Sequence, residues 1–209
     1  LLFLLPISLL TGPAIPDISI TIIAILFLIN SFILKDFQWL KEKWIIAALT
    51  FWISLIFISF FALDISKSFQ NAFIFIRYII FSIAISYWLL IEKRNLIFFL
   101  KILTITLIFV VFDCMYQFIN YDSLSGFGRD IFGFTSTHYG RLTGPFNDDV
   151  PGSHISRYIF FSIFLFVVSK NSFFLNNFTF ILFISFTVFI IWLSGEAMAF
   201  ATTLLGIFI

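Results

Sequence analysis

Charge is what this chain has least of. Only 11% of its 209 residues are charged and 61% are hydrophobic, whereas soluble globular domains carry roughly 25% charged and about 45–50% apolar residues. That balance excludes an ordinary water-soluble domain. The 12 Lys and Arg nearly cancel the 11 Asp and Glu, for a net charge of +1, so there is no basic face for nucleic acid. A single cysteine, Cys114, excludes an intrachain disulfide framework and any multi-cysteine metal site. The only two histidines, His138 and His154, have no partner at i+4 and no HExxH context, so no metal is expected. GFGRDIFG at 126–133 misses the dinucleotide spacing and follows no strand, and nothing reads as a phosphate loop. The opening LLFLLPISLL lacks the basic segment and small-residue cleavage site of a secretory signal.

What the chain does have is long apolar runs, with a mean hydropathy of +1.12. After a helix-breaking connection at 11–17, TGPAIPD, the runs predict spans at 18–34, 44–63, 72–91, 96–119, 157–169 and 178–193, with a last helix beginning near Met198. Trp39 and Trp44 flank the loop at 35–43 as an interfacial aromatic belt. The 34 phenylalanines are read as compositional bias and lipid-facing bulk, not as aromatic platforms. The expected fold is all-α, a polytopic transmembrane helix bundle forming one domain over 1–209, with 120–156 as its single long loop. The chain begins at Leu1 and stops inside ATTLLGIFI, a run too short for the ~20 residues a span needs. It is therefore expected to be an N-terminal fragment of a longer protein.

Basic residues orient these spans. Lys35, Lys41, Lys43, Lys93, Arg94, Lys101 and Lys170 fall in alternate loops, and the opposite short loops offer little beyond Lys67. The positive-inside rule makes the former loops cytoplasmic and the long loop extracytoplasmic, periplasmic in a Gram-negative cell. Arg129, Arg141 and Arg157 in or beside the long loop run against that bias. Cations retained there fit a role in holding an anion, although a loop this long also tolerates them.

The polar stretch at 140–157, GRLTGPFNDDVPGSHISR, is the first candidate for a site. Within the spans, Arg77 and Asp113 are costly, at least about 2.5–3.5 kcal/mol each. Both lie about 9 Å in from the same side, so they are expected to face the bundle interior and can pair. Gln117 lies one turn from Asp113 on the same helix face.

Three segments carry a family resemblance: DCMYQF at 113–118 in a span, RLTGPFNDDVPGS at 141–153 entering a helix, and LSGEAMAF at 193–200 at a helix end. Together they resemble the O-antigen ligase and O-antigen polymerase superfamily, polytopic inner-membrane glycosyltransferases. The resemblance implies transfer or polymerisation of an undecaprenyl-diphosphate-linked glycan in lipopolysaccharide assembly. The acceptor would be lipid A core or the growing glycan, and no cofactor would be used. It makes Arg141 the catalytic candidate, an arginine that holds the diphosphate. Arg77, Asp113, Gln117 and Glu196 are the substrate-binding candidates, and Asp148, Asp149 and Glu196 are the carboxylates available to deprotonate an acceptor hydroxyl. Ala197 stands where the family's helix-end motif SGER carries arginine. The family's functional histidine lies in a later loop, so His138 and His154 are not given that role. The competing readings are a transporter or flippase-like carrier of an anionic or lipid-linked substrate, and a non-catalytic membrane subunit.

Overall fold

The structure is a computed structural model that describes residues 1–120, 128–136, 141–146, 149–169 and 176–208. The fold is all-α. A short mixed start, Leu2–Thr11, contains α1 (Leu5–Ser8). It is followed by α2 (Ala14–Leu34), α3 (Lys43–Ser59), α4 (Ile65–Ala84), α5 (Lys93–Ile119), α6 (Gly152–Val168), α7 (Asn177–Leu193) and α8 (Ala197–Phe208). A π-helical turn, Ile85–Leu89, prolongs α4. Among the described residues three helices are long and apolar enough to cross a membrane: Ala14–Leu34, Ile65–Leu89 and Lys93–Ile119. Large side chains such as Phe61, Phe112 and Phe178 are exposed on the helices and their ends, a surface that suits lipid better than water.

Three helices, α2, α4 and α6, begin earlier than the apolar runs suggest; α6 starts at Gly152 and not at Arg157, within the stretch expected to be the long loop. Pro13 is the N-cap of α2 and Pro16 lies in its first turn, where a missing N–H costs nothing because no intrahelical acceptor awaits it. Asp17 is thus helical and not part of a loop. At α4, Asp64 caps the helix by accepting from the Lys67 N–H at 3.0 Å, so the polar run at 64–71 supplies the first turns of α4. At α7 the Asn176 side chain accepts from the Thr179 N–H at 2.9 Å, and the Thr179 hydroxyl oxygen accepts from the Asn176 N–H at 3.3 Å. This is a capping box.

Contacts group the chain into two compact units. One comprises Leu1–Leu5 with Pro13–Leu96. In it α4 packs against both α2 and α3. The Trp52 indole donates to the Ala72 carbonyl at 2.9 Å. Arg77 of α4 reaches α2, where its Nη2 lies 2.7 Å from Asp17 Oδ2 and its Nη1 donates to Thr21 Oγ1 at 3.4 Å. Tyr78 completes the cluster, accepting from Arg77 at 2.8 Å and donating to Asp17 Oδ1 at 3.1 Å. The expected partner of Arg77 was Asp113. The observed one is Asp17, which became available once the α2 helix started at Ala14.

The other unit comprises Pro6–Gly12 and Ile97–Ile209. Its core draws Leu107, Val110, Val111 and Cys114 from α5, Ile155 and Ile159 from α6, Ile190 and Ile191 from α7, and Ala199 from α8, closed by Leu142 of the long loop. Polar atoms add direction. Thr104 of α5 and Ser162 of α6, both fully buried, share a hydrogen bond at 3.1 Å. Helix packing in lipid gains little from apolar burial, so such hydrogen bonds help fix which faces meet.

Candidate functional site

The segment carrying Arg141 is held by Gln117, a residue of α5 with no exposed surface. Its Oε1 accepts from the N–H groups of Thr143 at 3.0 Å and Gly144 at 2.9 Å, and its Nε2 donates to Thr143 Oγ1 at 3.2 Å. These bonds satisfy backbone donors that burial would otherwise leave unmet. Gly144 has φ of +52° and lies so close to α5 that a Cβ would sit 2.6 Å from Cys114 Sγ. Only glycine meets both conditions. Gln117 is thereby a positioning residue for the loop.

With 142–145 buried, Arg141 is left exposed at the edge of the segment. Its carbonyl accepts from the Ser136 hydroxyl at 2.7 Å. Its side chain lies along Gly195, so close that a Cβ on Gly195 would be 3.8 Å from Arg141 Nε and 3.9 Å from Cγ. Gly195 has φ of +76° and forms the bend between α7 and α8, and Glu196 follows it. Gly152, at the start of α6, abuts the same bend, where a Cβ would strike Ser194 Oγ and approach Glu196 Oε2 to 2.6 Å. Arg141, Gly152, Ser194 and Glu196 therefore converge, bringing two of the three sequence motifs together. Glu196 Oε2 is buried and has no hydrogen-bond partner, and the positive ends of the α6 and α8 dipoles are both at hand.

Beside this convergence α6 and α8 flank an open cavity of about 550 Å³. Ser153, Ser156, Arg157 and Phe160 form one wall, at the i, i+3, i+4, i+7 spacing of a single helix face. Glu196 and the start of α8 form the other. Among the described residues the one ion pair is Arg77–Asp17, so Glu196 neutralises neither Arg141 nor Arg157.

Asp113 is fully buried. Its Oδ1 accepts from the Ile131 N–H at 2.8 Å, and its Oδ2 has no hydrogen-bond partner. In the loop, Asp130 accepts from the Phe134 N–H at 2.6 Å. Burial raises its carboxyl above the usual range, against the opposing pull of the backbone donors Phe134, Gly133 and Phe132. Asp113 thus ties the 128–136 segment to α5, as Gln117 ties 141–146. His154 stacks on Phe146, with centroids 4.5 Å apart and planes 13° apart, and Asp149 is exposed. His138, Asn147 and Asp148 lie outside the described residues. Ser153, Ser156 and Arg157 lie in the 140–157 stretch read as the first candidate for a site, with Arg157 among the arginines that fit an anion-holding role, whereas Thr202 was not a sequence candidate. The face spacing on α6 was visible, but what it faces was not.

No family model, curated protein or solved structure matches the chain.

Proposed function

We propose that this protein transfers or polymerises an undecaprenyl-diphosphate-linked glycan in O-antigen and lipopolysaccharide assembly, at the outer face of the bacterial inner membrane. The observation that supports it best is the convergence of Arg141 with the Gly195–Glu196 bend beside an open cavity. The three segments that carry the resemblance point the same way, and so does the placement of basic residues in alternate loops.

The chemistry fits those groups. Transfer breaks the bond between the anomeric carbon of the donor sugar and its diphosphate oxygen, and forms a bond from that carbon to an acceptor hydroxyl oxygen. Negative charge gathers on the leaving diphosphate, which the planar Arg141 guanidinium can meet with paired hydrogen bonds. The hydroxyl proton passes to a base, a role we give to the Glu196 carboxylate, whose side chain lines the cavity. Neither step calls for a nucleotide.

The test is glycan analysis after gene deletion and complementation. Loss of polymer from lipid A core indicates a ligase, and attachment of single repeat units indicates a polymerase. Complementation with Arg141→Ala is expected to fail. Unchanged lipopolysaccharide in the deletion strain refutes the reading and leaves the carrier as the better account.

A further inference from the structure

We infer that the cavity between α6 and α8 is a sugar subsite that takes an acceptor bearing an anionic substituent, a carboxylate or a phosphate. This rests on the transferase reading above and names the class of acceptor.

The lining is mixed in a specific way. Its residues include the charged Arg157 and Glu196 and the hydroxyl-bearing Ser153, Ser156 and Thr202, set in a surface that is mostly apolar and to which Phe160 and Met198 contribute. Two of the hydroxyls already spend their protons on helix carbonyls. Ser156 donates to the Ser153 carbonyl at 2.9 Å, and Thr202 donates to the Met198 carbonyl at 2.8 Å. Their oxygens therefore remain free to act as acceptors, whereas Glu196 Oε2 is itself buried against Gly152, so this carboxylate can meet a ligand only through its other oxygen. A ligand rich in hydroxyl donors meets that demand, and sugars are such ligands. Their apolar ring faces also suit Phe160 and Met198.

Arg157 adds the anionic requirement. It shares the cavity with Glu196, yet the two are not ion-paired. An acidic sugar satisfies both groups at once, hydroxyl to carboxylate and anion to guanidinium. A neutral sugar gives Arg157 only weaker contacts, and a simple anion would meet repulsion from the Glu196 carboxylate without offering it a donor. The volume of about 550 Å³ falls within the ~300–1,000 Å³ of small-ligand pockets. The small residue Ala197, lining the same cavity, offers a second place from which a guanidinium can enter it.

The experiment uses the full chain in nanodiscs and measures binding before turnover. Methyl β-glucuronide, methyl glucoside 6-phosphate and methyl β-glucoside are titrated by calorimetry. At least one acidic ligand is expected to bind about tenfold more tightly than the neutral one, a difference of about 1.4 kcal/mol. Which acidic ligand wins distinguishes carboxylate from phosphate. Arg157→Ala should remove the preference, bringing the acidic ligands down to the affinity of the neutral one, and adding Ala197→Arg to that variant should bring the preference back. Equal binding of all three ligands by the unmodified chain overturns the inference, and so does a preference that survives Arg157→Ala. The same acceptors are then offered with an undecaprenyl-diphosphate-linked glycan as donor. An acidic preference in binding without transfer to any acceptor keeps the subsite and refutes the transferase reading. Transfer without an acidic preference does the reverse.

Discussion

Replacing Gln117 by Leu tests whether one buried amide holds the Arg141 segment in place. Leucine matches glutamine roughly in volume and leaves the N–H groups of Thr143 and Gly144 without their acceptor. Both residues are buried, so water does not replace it. A buried donor left unsatisfied costs about 1–3 kcal/mol, and two give roughly 2–6 kcal/mol for the segment. At about 1.4 kcal/mol per factor of ten, protection of these amides against hydrogen exchange should fall by roughly 30-fold to more than 10⁴-fold. The assay is amide exchange on peptides covering 141–146, in nanodiscs, with peptides from α6 and α7 as internal references. Gln117→Glu is the control. It keeps an oxygen for both N–H groups, and the Thr143 hydroxyl can turn to donate to its second oxygen, so protection should fall less than with Leu. Transfer activity should follow the same order, because Arg141 is carried by the segment that opens. Wild-type protection in Gln117→Leu, or an equal loss in both variants, refutes the argument.

Other outcomes follow from single contacts. Gly152→Ala drives a methyl into Ser194 and Glu196. The Ser194 hydroxyl, held to the Ile191 carbonyl at 2.6 Å, is the first atom struck, so the bend that carries Ser194 and Glu196 must shift. On the transferase reading turnover should drop by about 100-fold, with a fall in the thermal midpoint, and full turnover counts against a role for Glu196. For Asp130, a native carboxyl raised by burial binds more protons folded than unfolded. The 128–136 segment is then most stable below the unfolded pKa and loses stability as pH rises through the folded one. Exchange of those amides, corrected for the intrinsic rate, should show this slope, and Asp130→Asn should flatten it. For the first unit, Asp17→Arg combined with Arg77→Asp should recover thermal stability lost in either single variant. Arg77→Asp with Asp113→Arg should not, and recovery by that second pair would place the ion pair wrongly.

The helical class was legible because apolar runs of span length have few alternatives, and α5 and α7 start and stop close to where hydropathy and polar breaks place them. Helix starts were less legible. The prolines at 13 and 16 read as breakers, yet a first turn tolerates them, and that reading hid Asp17 from Arg77. Asp64 was an N-cap in plain sight, overlooked because the residues after it are polar. Arg141 could be picked out as a cation on the side that basic residues avoid, and Glu196 through the motif that contains it. Arg157 and Thr202 could not be joined by sequence. The periodicity of α6 shows that 153, 156, 157 and 160 share a face, and nothing local says that α8 lies opposite.

The same limit explains why Asp113 and Gln117 first read as ligands for a substrate. A polar side chain in an apolar span must find partners, and sequence cannot tell whether those come from a ligand or from the chain's own backbone. Here the backbone supplies them. Asp113 receives the Ile131 N–H and Gln117 receives those of Thr143 and Gly144, so two turns of α5 bind two parts of one loop. This economy follows from the medium. Loop segments packed against apolar helices lose water as a hydrogen-bond partner, and the cost of burying their N–H groups falls unless a side chain answers them. Polar residues late in α5 answer them, which leaves Arg141, Arg157 and Glu196, on the rim and not in the core, as the groups with chemistry to offer a ligand.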